Sequence, residues 1–314
     1  MVEDEQIKTE VSPFAIREGE IKTFDGKDGY VSMNQIIHKI NIGHISDIHF
    51  KIMELVNEFE FITSRQIYQI LVHKGEDIKS QDKLNNKLEQ LIKCKILTRY
   101  YFMGEEGKCI YRIYCLEKMG KYLLNSRGVE CKWQPTDNTK PVAMIKKRLA
   151  GNQIIIAYLR KVSAFDKYTV KPAITAKKLG KVFKAHAGVK LTKNGKSIDF
   201  IFEAVRREED WEKKLVDRLQ LYKDFYESFV QFDSGFETKP QLIFVCEDEK
   251  HMVETLKTIV TNRMEIPGIK TLFTTDLRQN SETLEKSLVE FKIDEATGKY
   301  LSLIHISEPT RHLR

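Results

Sequence analysis

The sequence predicts a mixed chain of class α+β / α/β in two folded parts, and three observations point to it. Between His44 and Arg127 apolar residues recur at helical spacing and then give way to two strand-like runs. From about Lys146 onward short apolar runs alternate with amphipathic helical ones, the order of an α/β layer structure. The stretch "CKWQPTDNTKP" between them is polar and carries two prolines, as a connection would. The organisation read from this is an N-terminal extension over 1–43, a first domain over 44–128, a linker over 129–145 and a second domain over 146–300.

The first domain opens with "HISDIHFKIMELVNEFEF", in which Ile45, Ile48, Ile52, Leu55, Val56 and Phe59 form one apolar stripe. A second helix starts at Thr63, with Gln66 three residues on as the partner of a capping box, and it stops at Gly75. Ile67, Ile70 and Leu71 supply its buried face. A third helix follows in "SQDKLNNKLEQLIKCKIL", with Leu84, Leu88 and Leu91 at i, i+4 and i+7. That spacing leaves Gln81, Lys83, Asn85, Asn86, Lys87 and Gln90 toward the other side, where amides and lysines suit base edges and phosphates. Two strands, 96–103 and 108–116, joined by "GEEG", and a short helix in "EKMGKYLL" close the unit. Helix, capped helix, polar-faced helix and hairpin in that order predict a winged helix-turn-helix, whose third helix enters the major groove of DNA. A protein-binding winged helix has the same order.

In the second domain "GVKLTKNGKSIDFIFEAV" predicts a β-hairpin about the turn Asn194-Gly195. "EEDWEKKLVDRLQLYKDFYESF" predicts a long helix with Trp211, Leu215, Leu219, Tyr222 and Phe225 or Tyr226 inward. "PQLIFVCED", "KHMVETLKTIVTNRM" and "IKTLFTTDL" then read as strand, helix and strand, so part of the sheet is expected to be parallel. "KPAITAKKLGKVFKAHAGVKL", 171–191, is expected to hold a short amphipathic helix and to carry Lys177, Lys178, Lys181 and Lys184 as a phosphate-contacting surface.

Charge supports a polyanionic partner. The net charge of +7 is unevenly spread: −3 over 1–43, +3 over 44–128, +12 over 129–200 and −6 over 201–300. Lysines set against phosphates release condensed counterions, so the basic block favours nucleic acid; a solvated lysine-rich face is the plain alternative. The 41% hydrophobic content allows packed cores in a chain of 314 residues. The five cysteines, Cys94, Cys109, Cys115, Cys131 and Cys246, are odd in number and lack CxxC spacing, which predicts reduced thiols and no zinc. "MVEDEQIKTE" has no apolar core of a leader and no run approaches about 18 apolar residues, so a cytoplasmic protein with no membrane partner is expected. "SLIHISEPTR", 302–311, resembles the translation of a transposase-based sequencing adapter, and 301–314 is expected to be an artefact without evolved contacts.

Two places in the chain are similar to the replication-relaxation family of plasmid and integrative-element proteins. One is "ITSRQIYQIL" through "LEQLIKCKILTRYYF" to "YRIYCLEKMGKYLL"; the other is "FIFEAVRREEDWEKKLVDRLQLYKDFY". Together with the segments between them they span about half of the chain. The resemblance implies a role in replication, DNA relaxation or mobilisation, with replication or conjugation proteins as partners, and a second domain similar in outline to the restriction-endonuclease-like fold. The catalytic version of that fold uses an aspartate and then a (D/E)-x-K pair on the next strand, converging on magnesium.

This sequence departs from that set. Glu203 stands at the acid of the pair, but Val205 occupies the lysine position and also the second acid of the family's E-x-D. Asp199 lies on the same strand and the same face, about 13 Å away, and Arg206 would have to replace the lysine. Asp199 and Glu203 are therefore weak catalytic candidates, with no cofactor expected beyond magnesium in the nuclease case. "GKDGY" and "KNGKS" lack the context of a phosphate loop, and His38, His44 and His49 have no HExxH spacing. Three functions stand: a DNA-binding protein of a mobile element, a metal-dependent nuclease, and a winged-helix regulator that dimerises through its second domain. Double-stranded DNA is the expected partner, with a second copy of the chain beside it.

Overall fold

The structure is a computed structural model that describes residues 12–103, 109–232, 235–281, 283–293 and 300–305. It is a mixed α+β chain with antiparallel and mixed sheets, divided into two compact units. One comprises 16–160 with 168–172; the other takes in the stretch before Ile16, 161–167 and the chain from 173 onward.

The first unit runs β1 (Ile21–Phe24), α1 (Met33–Asn41), α2 (Asp47–Phe59), β2 (Ile62–Thr63), α3 (Ser64–His73), α4 (Gln81–Lys93), β3 (Leu97–Met103), β4 (Cys109–Leu116) and α5 (Lys118–Ser126). A 3-10 turn, Pro135–Thr139, leads into α6 (Val142–Lys161). The helix starts follow their caps. Thr63 accepts from the Gln66 amide at 3.1 Å while the Gln66 side chain accepts from the Thr63 amide at 3.1 Å, closing α3 as the sequence predicts. Ser80 does the same for α4 by accepting from the Lys83 amide at 3.3 Å. Ile52, Val56, Ile67, Ile70, Leu84, Leu88 and Leu91 are wholly buried, which sets the inward face of the three helices. The sheet has the order β1-β3-β4-β2.

Gly120 shows why a glycine sits where α5 begins. A Cβ there would lie 2.5 Å from the Ile96 carbonyl oxygen and 2.8 Å from Leu116, so the helix can approach the base of the hairpin only without a side chain.

Two expected boundaries move. Part of the expected extension 1–43 is integral structure: β1 pairs with β3, and α1 carries its own Ser32–Gln35 capping box and buries Ile36. The acidic excess of that segment has a local use, because Glu20 pairs with the buried Lys146 and Asp25 pairs with Arg99 and Arg112 at 2.8 and 3.0 Å. Nor is 129–145 a free linker. Cys131 and Asn138 are buried, and Asn138 donates to the Leu116 carbonyl at 3.0 Å. Helix α6 then belongs mainly to the first unit, where the buried Asn152 amide donates to the Phe59 and Phe61 carbonyls.

The second unit contains β5 (Phe165–Val170, whose last three residues fall in the first), β6 (Ala173–Ala176), β7 (Lys181–Lys184), β8 (Ala187–Lys193), β9 (Lys196–Ala204), α7 (Trp211–Glu227), β10 (Gln241–Cys246), α8 (Glu249–Thr261) and β11 (Leu272–Thr275). It closes with α9 (Asp276–Ser281), α10 (Leu284–Ser287), β12 (Val289–Ile293) and β13 (Tyr300–His305). The seven strands of its main sheet follow the order β13-β12-β11-β10-β9-β8-β5. β9, β10 and β11 are parallel and β8 is antiparallel to β9, with Asn194 and Gly195 in the left-handed region at the turn as predicted. Leu215, Leu219, Tyr222, Phe225 and Tyr226 of α7 pack on Ile201, Leu242 and Phe244 of the sheet.

The helix expected within 171–191 is a β-ribbon instead. β6 and β7 pair antiparallel, burying Ile174, Ala176, Phe183 and Ala185 in the core. The apolar period there is two, and the turn at Gly180 has positive φ, so Lys184 stands outward from a strand and Lys177 and Lys178 from the turn, rather than from a helix. The tail also departs from expectation, since β13 lies along β12 and includes Ser302–His305. An exposed strand edge offers unpaired backbone groups to any extended segment, so this pairing requires little of the side chains. Residues 306–314 and the "GEEG" turn lie outside the described residues.

Candidate nucleic-acid interface and the carboxylate strand

Helix α4 presents Lys83, Asn85 and Asn86 to solvent, with Gln81 and Lys87 half-buried beside them. Gln81 donates to Asn85 at 3.2 Å, a bond between neighbours one turn apart that orders the amide row. Gln90 is exposed but partly committed, because its Oε1 is 2.7 Å from Nε2 of the buried His49. Nδ1 of the same ring accepts from the Ser46 amide, which makes Nε2 the donor toward Gln90. Burial holds the His49 ring below its ordinary pKa, so the strut from α2 to α4 is a neutral one.

Lys177, Lys178, Lys181 and Lys184 are all exposed on the β6–β7 ribbon. Lys178 pairs with Glu227 at 2.7 Å. The ribbon's turn is fixed from below: the buried Asp224 carboxylate accepts from the Lys178 and Leu179 amides at 3.2 and 2.8 Å. Phe183 packs edge-on against Tyr222, ring centroids 5.0 Å apart, and so ties β7 to α7.

Asp199 and Glu203 both sit on β9 and both are buried, at 5% and 6% exposure, with separate partners. Asp199 accepts from the Thr238 amide at 2.9 Å and its hydroxyl at 3.0 Å, and thereby pins the loop before β10. Glu203 lies against Arg218, which reaches its two oxygens at 3.1 Å each; Tyr222 donates at 2.6 Å, and His186 Nδ1 lies at 3.3 Å. Burial alone would raise the Glu203 carboxyl, but the Arg218 charge, His186 and the Tyr222 hydrogen bond together outweigh it and hold the group far below the usual carboxylate range. At Val205 the chain is buried in the apolar core, and Arg206, fully buried, donates to the Val205 and Val245 carbonyls and pairs with Asp276 at 2.8 Å. Strand β9 therefore brings neither a second acid nor a cation to Glu203 in the metal-holding sense. It gives Glu203 a guanidinium from α7. Among the described residues no group of three or more His, Cys, Asp or Glu side chains is placed to hold a metal ion.

Sequence reasoning missed a charged cluster just beyond the carboxyl ends of β9, β10 and β11. Arg207 reaches Asp248 at 2.6 Å, Glu254 at 3.0 Å and Glu247 at 3.4 Å, while Arg206 holds Asp276, to which Ser12 also donates. His251, fully buried, lies edge-on to Trp211 with Nδ1 accepting from the Glu247 amide. Burial pushes its pKa down to about 3. The signal available was positional: Arg206-Arg207, Glu247-Asp248 and Asp276 each end a strand, and only parallel pairing sets them side by side.

No family model, curated protein or solved structure gives a significant match to this chain. No helix among the described residues is long and apolar enough to cross a membrane.

Proposed function

We propose that this chain is a DNA-binding protein of a plasmid or integrative element, acting in replication or in DNA relaxation or mobilisation. The observation that carries the binding part is the outward row Lys83, Asn85 and Asn86 on α4, a helix whose other face is wholly buried and whose N-terminus is capped. Three helices followed by a β-hairpin suit a winged helix-turn-helix in which α4 reads the major groove. The mobile-element role rests on the resemblance of the two sequence segments alone. In this reading the second unit, with β8, β9, α7 and β10 in that order, has the outline of a restriction-endonuclease-like core and uses it as a scaffold.

The nuclease alternative needs Glu203 to release Arg218 and Tyr222 before it can bind magnesium, and it has Val205 where a lysine must activate water. Purified protein is expected to shift duplex DNA in a gel and to leave it uncut with Mg²⁺ or Mn²⁺. Nicking that Glu203→Ala abolishes would establish the enzyme instead. A promoter-binding regulator makes the same α4 contacts; its mark would be preference for the DNA upstream of its own reading frame.

A further inference from the structure

The geometry points to the β6–β7 ribbon as a second reading element that enters the major groove of duplex DNA, with the Thr175–Val182 cross-strand pair toward the base edges. This rests on the DNA-binding reading above and specifies where the second unit engages. From 167 to 198 the sequence holds nine lysines and no aspartate, glutamate or arginine; Lys171, Lys178 and Lys190 pair with Glu60, Glu227 and Glu237, and the excess around Lys181 and Lys184 suits a polyanion. The ribbon presents Ala173, Thr175, Val182 and Lys184 outward, with Thr175 opposite Val182 and Ala173 opposite Lys184. Val182 is 68% exposed and Leu179 at the turn 44%, apolar surface that a purely phosphate-binding patch has no use for. A small apolar side chain is suited to a thymine methyl, and a threonine to a base edge.

The shape selects among polyanions. Single-stranded nucleic acid is held by stacking on aromatic side chains, and the ribbon's one aromatic, Phe183, is buried against Tyr222. The deep, narrow major groove of double-stranded RNA excludes a ribbon, whereas that of B-DNA, about 12 Å wide, admits two strands. The ribbon is also preorganised: Asp224 holds its turn and Ile174, Ala176, Phe183 and Ala185 hold its back, so docking orders no backbone.

The test uses the full chain and five probes: a 30-base-pair DNA duplex, the same duplex with glucosylated cytosines, the matching single strand, the matching RNA duplex, and vesicles containing phosphatidylserine. Val182→Glu places a carboxylate on the outward face without touching the core, and an unchanged melting temperature verifies folding. It is expected to weaken binding to the DNA duplex at least tenfold, and Lys181→Ala with Lys184→Ala to flatten the salt dependence by about two units of slope. On a duplex whose major groove is filled by glucosylated cytosines the Val182→Glu penalty should vanish. If wild-type protein binds the single strand, the RNA or the vesicles as tightly as duplex DNA, or if Val182→Glu binds duplex DNA like wild type, the ribbon inference is overturned. Should Asn86→Ala weaken duplex binding while Val182→Glu does not, the α4 reading survives and only the ribbon falls. Absence of any duplex binding by wild type overturns both.

Discussion

Glu203 and His251 set how single side chains respond to pH in the second unit. Glu203 is held ionised by Arg218, so its contribution to stability is complete above the ordinary glutamate pKa of 4.5 and is lost as pH falls below it toward the depressed folded value. His251 acts in the same direction from a different cause. Burial pushes its folded pKa down to about 3 from an ordinary 6.5, so between those values the unfolded chain takes up a proton that the folded chain refuses. Stability is expected to fall as pH drops below 6.5, with a slope of up to about 1.4 kcal/mol per pH unit from this one group. Urea titrations of wild type and His251→Gln between pH 7.5 and 5 check it: the variant should lose most of that slope. Equal slopes would show that the ring takes up its proton alike in the folded and unfolded chain. At Glu203 the prediction is structural, since Glu203→Gln leaves Arg218 without its charge partner and should cost about 3 kcal/mol or more at pH 7, measured by chemical denaturation.

Among the elements, α5 and α4 make contrasting predictions. Alanine normally favours a helix over glycine by about 1 kcal/mol, but at Gly120 the Ile96 carbonyl is 2.5 Å from where the Cβ would stand. Gly120→Ala is therefore expected to destabilise the first unit by about 1–3 kcal/mol, the range of overpacking, with a lowered melting temperature. A stabilised variant would mean that α5 can shift outward. On α4 the stake is recognition. Asn86→Ala should leave melting unchanged and reduce affinity for a preferred site, selected from random duplexes, more than for random DNA, by about 1–3 kcal/mol of discrimination. An equal loss on both would reduce Asn86 to a backbone contact.

At the scale of the whole chain the tail is the open contact. Residues 302–305 extend β13 along β12, at one edge of the seven-stranded sheet. The backbone bonds of an added edge strand are few, and among the described residues no strand lies beyond it in the sheet order. Deleting 302–314 is expected to leave DNA affinity unchanged and to lower the melting temperature by no more than a few degrees. A collapse of the second unit on deletion, seen as loss of cooperative melting, would show the strand to be a working part of the sheet.

The sequence by itself determined the capped start of α3, the hairpin turn at Asn194-Gly195, the faces of α2, α3, α4 and α7 and the strand–helix alternation after Lys196. Each is a local matter of capping groups, φ preferences and apolar period, and each is present in the structure. The polar face of α4 was legible for the same reason. What only the tertiary structure decided depends on contacts between residues far apart in the chain. The segment 171–191 carries apolar positions at spacings compatible with a short helix, and the core against α7 selected the ribbon, because two strands bury Ile174 and Phe183 side by side. Glu20 and Asp25 gave the expected extension its acidic character and found their cations at Lys146 and Arg99. Asp199 and Glu203 share a strand face, yet one serves Thr238 and the other Arg218. The partner a buried carboxylate finds depends on how distant segments pack, and spacing along one strand carries no record of it.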